Sequence, residues 1–109
     1  MKPQFLYVIA PEASDYGPCK LGISTNPARR VKQLQTGHSE TLAVRYSEEV
    51  DPDKVYLFEK LLHRDINYLR QRGEWFKLSV EDAISHVQFT IIQYGSVVDL
   101  SEKVRQRRI

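Results

Sequence analysis

The sequence predicts an α+β domain with a small central antiparallel or mixed sheet flanked by helices. Two strand-like runs come first, a capped helix follows them, and two further segments carry apolar residues at helical spacing. At 109 residues the chain is long enough for one modest hydrophobic core. We therefore expect a single domain over residues 1–100 and a basic C-terminal tail over residues 101–109.

The first three elements are predicted from local signals. Strands are expected over residues 4–10 and 19–25, where aromatic and β-branched residues are frequent, with a loop rich in proline and glycine between them. Asn26 is a good N-cap and Pro27 fits the first helical position. Apolar residues then recur at helical spacing until Gly37, which is suited to end the helix.

The second half of the chain is predicted to add two strands and two helices. A third strand is expected over residues 42–46, and the longest helix of the chain over residues 51–73, where one apolar face is clear. A short strand over residues 75–78 leads to a helix that opens on Ser79 with a capping-box pattern and ends near residue 95. Residues 97–100 are expected to form a small strand or a packed turn.

The distribution of charge restricts the kind of partner. The net charge is only +2, and the tail holds Lys103, Arg105, Arg107 and Arg108 against Glu102. The body is therefore not a general polyanion binder. A nucleic-acid contact must be focused, with the tail as a second contact or, alternatively, as a solvated and frayed end.

Composition excludes several classes of protein. No apolar run is long enough to span a bilayer, and the N-terminus does not resemble a signal peptide. The single Cys19 fits a reducing cytoplasm, which is the localisation we expect. There is no CxxC, no Gly-rich nucleotide loop and no HExxH, so the enzyme classes that those motifs serve are not supported.

Two strand residues are candidates for chemistry. Tyr7 lies in the middle of the first strand, with Leu6 and Val8 pointing to the opposite face. A core aromatic with a satisfied hydroxyl is the ordinary role of such a tyrosine. Lys20 lies between two apolar residues of the second strand. Most strand lysines are surface residues, but partial burial would disfavour the ammonium form and make Lys20 a credible base.

The first helix supplies adjacent arginines. Arg30 shares a stripe with Leu34, whereas Arg29 shares one with Gln33. We therefore expect Arg30 to lean toward the sheet, where its guanidinium fork could hold a phosphate. Two solvated arginines are the simpler alternative.

The second helix carries an acid and an imidazole one turn apart. Glu59 and His63 are spaced i, i+4 at the border of the apolar face, where they could hold a divalent metal or orient each other. Such pairs are also common as helix decoration. A single carboxylate is a weak metal site, although Mg²⁺ accepts one because it keeps waters and takes substrate phosphates as ligands.

Three other polar residues are expected to have no chemical role. Residues 73–76 are predicted to be mainly structural, with Glu74 free to pair with an arginine. His38 and His86 have no convincing partners in the sequence.

An ordered series of motifs resembles a known family. Leu6-Tyr7-Val8 and Lys20-Leu21-Gly22 are similar to the paired tripeptides of the GIY-YIG nuclease superfamily. Lys-Leu-Gly-Ile-Ser, Asn-Pro-x-x-Arg, Leu-Gln-Thr-Gly, Glu-x-x-Leu-His and Gly-Glu-Trp-Phe-x-Leu then follow in order. The set covers roughly residues 5–78 and resembles the small stand-alone phage and bacterial branch of that superfamily.

The resemblance implies a GIY-YIG-like fold and a metal-dependent DNA endonuclease that uses Mg²⁺ or Mn²⁺. Tyr7 matches the tyrosine of the first tripeptide, and Gly22 matches the glycine of the second. Lys20 stands where the family has a second tyrosine. Arg30 matches the helix arginine that stabilises the attacked phosphate.

The long helix completes the correspondence. Glu59 matches the metal-binding glutamate, and His63 matches the histidine typical of the branch. Because Lys20 replaces a tyrosine, the general base is left open between Tyr7, Lys20 and His63.

Two other functions are open to a domain of this kind. A binding module that had lost the chemistry would contact DNA through Arg29, Arg30, Lys32 and the tail, with strong salt dependence. A protein-interaction domain is the second alternative.

Overall fold

The computed structural model describes residues 2–95, so the strand expected at 97–100 and the basic tail lie outside the described residues. The described part is α+β, as predicted. The strands are β1 (Gln4–Pro11), β2 (Cys19–Ser24), β3 (Leu42–Val50), β4 (Arg70–Arg72) and β5 (Trp75–Phe76). The helices are α1 (Pro27–Gln35), α2 (Val55–Ile66) and α3 (Val80–Tyr94), with a 3₁₀ turn at Asn67–Leu69.

All strand pairs are antiparallel and form one sheet in the order β3-β1-β2-β5-β4. β1 lies inside the sheet and is buried on both faces. Leu6 and Val8 pack with apolar residues of α2 and α3, whereas Tyr7 and Ile9 pack with α1. The prediction that Leu6 and Val8 point to the face of the sheet opposite Tyr7 is therefore confirmed.

α1 begins and ends as its local signals predict. The side chain of Asn26 accepts a hydrogen bond from the backbone N–H of Arg29 at 3.0 Å, and Pro27 is the first helical residue. The helix ends at Gln35, and Gly37 follows with a φ of +79°, a conformation in which other residues are strained.

β3 is longer than the predicted strand over residues 42–46. Its second half carries Ser47, Glu48 and Glu49, which do not resemble a buried strand. These residues continue the ladder with β1, where Tyr7 pairs with Ser47. Because β3 is an edge strand, one side of it faces solvent and tolerates polar residues.

The prediction of one long helix over residues 51–73 is wrong at both ends. The carbonyl of Asp51 accepts a hydrogen bond from the backbone N–H of Lys54 and closes a turn, so α2 begins only at Val55. At the other end, residues 70–72 form β4 and pair with β5. As a result α3, with 15 residues, is the longest helix of the described part, ahead of α2 with 12.

α3 has the predicted cap. The hydroxyl of Ser79 accepts a hydrogen bond from the backbone N–H of Asp82 at 3.0 Å. β5 is shorter than the predicted strand over residues 75–78 and contains only two residues. Within residues 2–95, no helix combines the length and apolar character needed to cross a membrane.

Candidate active site

The shortness of β5 leaves part of β2 without a strand on one side. β5 pairs with Cys19 and Lys20 only, and the backbone N–H of Leu21 then donates to the carbonyl of Glu74 at 3.3 Å. We call the stretch of β2 beyond this point, residues 21–24, the open edge. Backbone polar groups on such an edge need other partners if they are buried.

α2 supplies those partners. The Nε2 atom of His63 lies 2.7 Å from the carbonyl oxygen of Leu21, and the backbone of Ile23 faces the carboxylate of Glu59 and acts to lower its pKa. A carbonyl can only accept, so Nε2 carries the hydrogen, and in a neutral imidazole Nδ1 is then the ring nitrogen with a lone pair. The ring of His63 also packs against Phe76, with the centroids 5.3 Å apart. Both functional side chains are thus oriented by the open edge.

Glu74 adds a third potential metal ligand to this pair. Glu59, His63 and Glu74 each offer an atom within 4.8 Å of those of the other two. We call this group the Glu59–His63–Glu74 cluster. The two carboxylates match the preference of Mg²⁺ and Mn²⁺ for oxygen ligands, and the imidazole is a ligand type that transition metals accept. The cluster therefore fits a metal ion better than the single carboxylate that we expected from the sequence.

The hydroxyl of Tyr7 faces the same point from β1. Tyr7 is only 1% exposed and pairs with Gly22 across β1 and β2. A Cβ on Gly22 would lie 2.7 Å from the hydroxyl oxygen of Tyr7 and 3.1 Å from Oε2 of Glu74. The space above Gly22 is therefore the place where the phenol and the carboxylate meet.

Charged groups on three sides act on this hydroxyl. Burial raises the pKa of Tyr7, and the Arg30 guanidinium opposes that shift through a hydrogen bond and through its charge. Glu74 and Glu59 raise the same pKa through their negative charge. Arg30 and Glu59 thus lie on the same side of the molecule, around one phenol.

The two carboxylates of the cluster repel each other. Burial raises the pKa of Glu59, and the charge of Glu74 raises it further, whereas His63, the backbone of Ile23 and Lys20 lower it. A cation placed between the two carboxylates would remove the repulsion. The electrostatics of the cluster therefore favour binding of a proton or a metal ion.

Lys20 is paired with an acid. The lysine is 8% exposed, and its Nζ atom lies 3.6 Å from Oε2 of Glu74 and 5.7 Å from the ring centroid of Trp75. The sequence left Glu74 free to pair with an arginine, and it pairs with Lys20 instead because the register of β2 and β5 places the lysine beside it. Glu74 belongs to the site rather than to the structural frame.

The other sequence-predicted residues lie further from the cluster. Arg29 and Lys32 are exposed on α1, whereas Arg30 is half-buried and leans toward the sheet. His38, expected to have no partner, stacks on Trp75 with the ring centroids 5.5 Å apart and the planes at 28°.

Glu74 is the residue that sequence reasoning missed. Its neighbours Trp75 and Phe76 dominate the local pattern and indicate a structural strand. The signal that would have found it is the pairing of Lys20 with Trp75, which sets Glu74 opposite Leu21. That pairing joins segments more than 50 residues apart and cannot be inferred from either segment alone.

The described part is a small α+β domain with a phenol, a guanidinium and an acidic cluster at one sheet edge. The chain belongs to the T5orf172 domain family, whose sequence profile matches residues 4–91. This is a phage-associated domain of the GIY-YIG-like, nuclease-type superfamily, and it links the chain to DNA as a partner. Comparisons with curated proteins and with solved structures give no match.

Proposed function

We propose that the chain is a divergent GIY-YIG nuclease, a metal-dependent endonuclease that hydrolyses phosphodiester bonds of DNA. The observation that carries the proposal is the meeting of Tyr7, Arg30 and Lys20 with the Glu59–His63–Glu74 cluster at the open edge of β2. A buried structural core has no need for so many charged groups in one place.

The cluster is the proposed site for Mg²⁺ or Mn²⁺. Glu59 and Glu74 would contribute carboxylate oxygens, and His63 would contribute Nδ1, because its Nε2 donates to the carbonyl of Leu21. A divalent ion bound there supplies positive charge that polarises a phosphate oxygen and stabilises the leaving oxyanion.

Two cationic side chains would hold the phosphate. Arg30 approaches the Tyr7 hydroxyl from α1, and its planar fork can donate to two phosphate oxygens at once. The Lys20 ammonium is oriented by Glu74 and adds a second positive charge. Both groups are preorganised, so they stabilise charge that develops on the phosphate without reorganising first.

We assign to Tyr7 the role of orienting the attacking water. His63 is less suited to be the base because its Nε2 donates to the carbonyl of Leu21 and its remaining lone pair, on Nδ1, is the one proposed to bind the metal ion. Lys20 is less suited because its Nζ atom is held 3.6 Å from Oε2 of Glu74 as one partner of an ion pair. The Tyr7 hydroxyl lies beside Arg30, whose charge offsets part of the rise that burial causes in the pKa of Tyr7, and it is placed to orient the attacking water.

Plasmid nicking tests the proposal. Purified protein is incubated with supercoiled plasmid and Mg²⁺, and Glu59→Gln is compared with Glu81→Gln, an exposed carboxylate outside the cluster. We expect Glu59→Gln to lose at least about a hundredfold in rate, as single electrostatic contributors do, and Glu81→Gln to match the wild type. Equal nicking by the wild type and Glu59→Gln removes the assignment. Binding of plasmid without cleavage under any divalent ion would instead indicate a DNA-binding module.

A further inference from the structure

A groove adjoins the candidate active site on the side of β5. It has a volume of about 500 Å³ and is lined by Lys20, His38, Gln71, Arg72, Glu74 and Trp75, among others. We call it the Trp75 groove. Lys20 and Glu74 belong to both the groove and the active site, so a strand held at the site would continue into it. Its volume lies in the range of about 300–1,000 Å³ that is typical of small-molecule sites.

We propose that the Trp75 groove receives an unpaired nucleobase next to the scissile phosphate. The substrate class would then be a nucleic-acid strand with an unpaired nucleotide, such as a single strand, a flap or a junction. The inference rests on the proposed function only for the position of the phosphate.

The aromatic lining is the first support for the proposal. His38 and Trp75 are both half-exposed and form a nearly parallel stack, with 5.5 Å between the ring centroids. Nucleobases add to aromatic stacks of this kind, and each stacked base contributes about 1–3 kcal/mol to binding. A base paired within a continuous duplex is covered on both faces by its neighbours, so only an unpaired base can use this surface.

The charge of the lining is the second support. Lys20 lies above the Trp75 ring at 5.7 Å from its centroid, and the exposed Arg72 pairs with Trp75 across β4 and β5. Cations interleaved with aromatic rings suit a strand whose backbone is anionic and whose bases are planar. The exposed amide of Gln71 adds a donor and an acceptor that can meet a base edge.

The single tryptophan of the chain makes the proposal measurable, because a base stacked on Trp75 quenches the only indole fluorescence. The full chain carrying Glu59→Gln is titrated without divalent ions. The probes are a short oligothymidylate, a short oligouridylate, a duplex closed at both ends by non-nucleotide linkers and an abasic strand of the same length. We expect saturable quenching by the oligothymidylate, the oligouridylate or both, and none by the duplex or the abasic strand. Because the two single strands differ in the C5 methyl group as well as in the sugar, the stronger of them identifies the preferred nucleotide.

Substitutions at His38 separate stacking from backbone attraction. His38→Ala should weaken single-strand binding at least about fivefold, the equivalent of about 1 kcal/mol. His38→Phe, which keeps an aromatic ring, should retain the affinity and shows that the position tolerates change. His86→Ala, a half-buried histidine of α3 outside the groove, should match the parent protein.

Three results would overturn the proposal: equal quenching by duplex and single strand, equal quenching by the abasic strand, or no effect of His38→Ala. The proposed function fails separately. Quenching by single strands in a protein that cleaves no DNA leaves the groove assignment standing, whereas plasmid cleavage without any quenching removes the groove assignment alone.

Discussion

The hydroxyl oxygen of Tyr7 occupies the space that a side chain at position 22 would fill. A Cβ on Gly22 would lie 2.7 Å from that oxygen and 2.9 Å from Cζ of the same ring. The φ of Gly22 is not in the left-handed region, so no special backbone conformation explains the glycine. Gly22 instead leaves room for the phenol to reach the acidic cluster.

Gly22→Ala should therefore destabilise the fold by about 1–3 kcal/mol, as overpacking of a filled core does. In a Tyr7→Phe background the same change should cost less, because the contact with the hydroxyl is gone while that with Cζ remains. Urea unfolding of the four proteins in the cycle measures the coupling. Strictly additive costs would show that the two residues do not compete for the space.

Arg30 and Arg29 form a matched pair on α1, one leaning toward the sheet and one exposed. Arg30→Ala should lower the rate of plasmid cleavage at least about a hundredfold, because a preorganised donor to the phosphate is lost. Arg29→Ala should change the rate only a few-fold, because it weakens DNA binding, and this difference from the wild type should shrink at high salt. A similar loss in both variants would mean that Arg30 acts only as general positive charge.

His63 is expected to act as a metal ligand and as a donor to the carbonyl of Leu21 rather than as the base. His63→Phe keeps an aromatic ring near Phe76 but leaves the carbonyl of Leu21 without its donor, at a cost of about 1–3 kcal/mol. His63→Gln retains a donor and should keep more stability and more activity than His63→Phe. If His63 were the base, both variants would lose activity equally and the acid limb of the pH–rate profile would disappear in His63→Gln.

Glu59 should make stability depend on pH. Burial and then Glu74 raise its pKa in the folded state, so the folded protein holds a proton at Glu59 more readily than the unfolded chain does. The free energy of unfolding is therefore highest below the ordinary carboxyl pKa and falls as the pH rises through the raised value. Glu59→Gln should remove this fall and be more stable than the wild type at neutral pH without divalent ions.

Unfolding curves recorded across pH with a chelator measure this effect, and Glu81→Gln is the control that should keep the wild-type slope. Added Mg²⁺ should stabilise the wild type but not Glu59→Gln, because binding to the folded state shifts the unfolding equilibrium. A pH profile of Glu59→Gln identical to that of the wild type would contradict the raised pKa.

The charge of Lys20 acts on both carboxylates of the cluster, Glu59 and Glu74. Its charge lowers the pKa of Glu59, and its Nζ atom lies 3.6 Å from Glu74. Lys20→Met should therefore raise the pKa of Glu59 further, whereas Lys20→Arg should largely preserve it. NMR titration of the side-chain carboxyl carbons follows the change directly. An unchanged titration of Glu59 in Lys20→Met would show that solvent screens the lysine from the cluster.

Local signals account for the part of the fold whose stabilising contacts lie within a few residues. Asn26 and Ser79 cap the helices that follow them, and the alternation around Tyr7 places its neighbours on opposite faces of the sheet. The i, i+4 spacing of Glu59 and His63 on α2 likewise follows from the period of the helix alone.

Contacts between distant segments decided the rest. β3 extends through polar residues because β1 continues to pair with it. Residues 70–72 form a strand rather than continue the helix because they pair with β5. The sequence by itself determined the order of the elements apart from β4, and most of the polar groups at the site. Only the tertiary structure decided that β5 ends after two residues, and therefore that Glu74 joins Glu59 and His63 on an open strand edge. The physical reason is that strand pairing joins residues far apart in the chain. The register of such a pair cannot be inferred from the sequence of either strand alone.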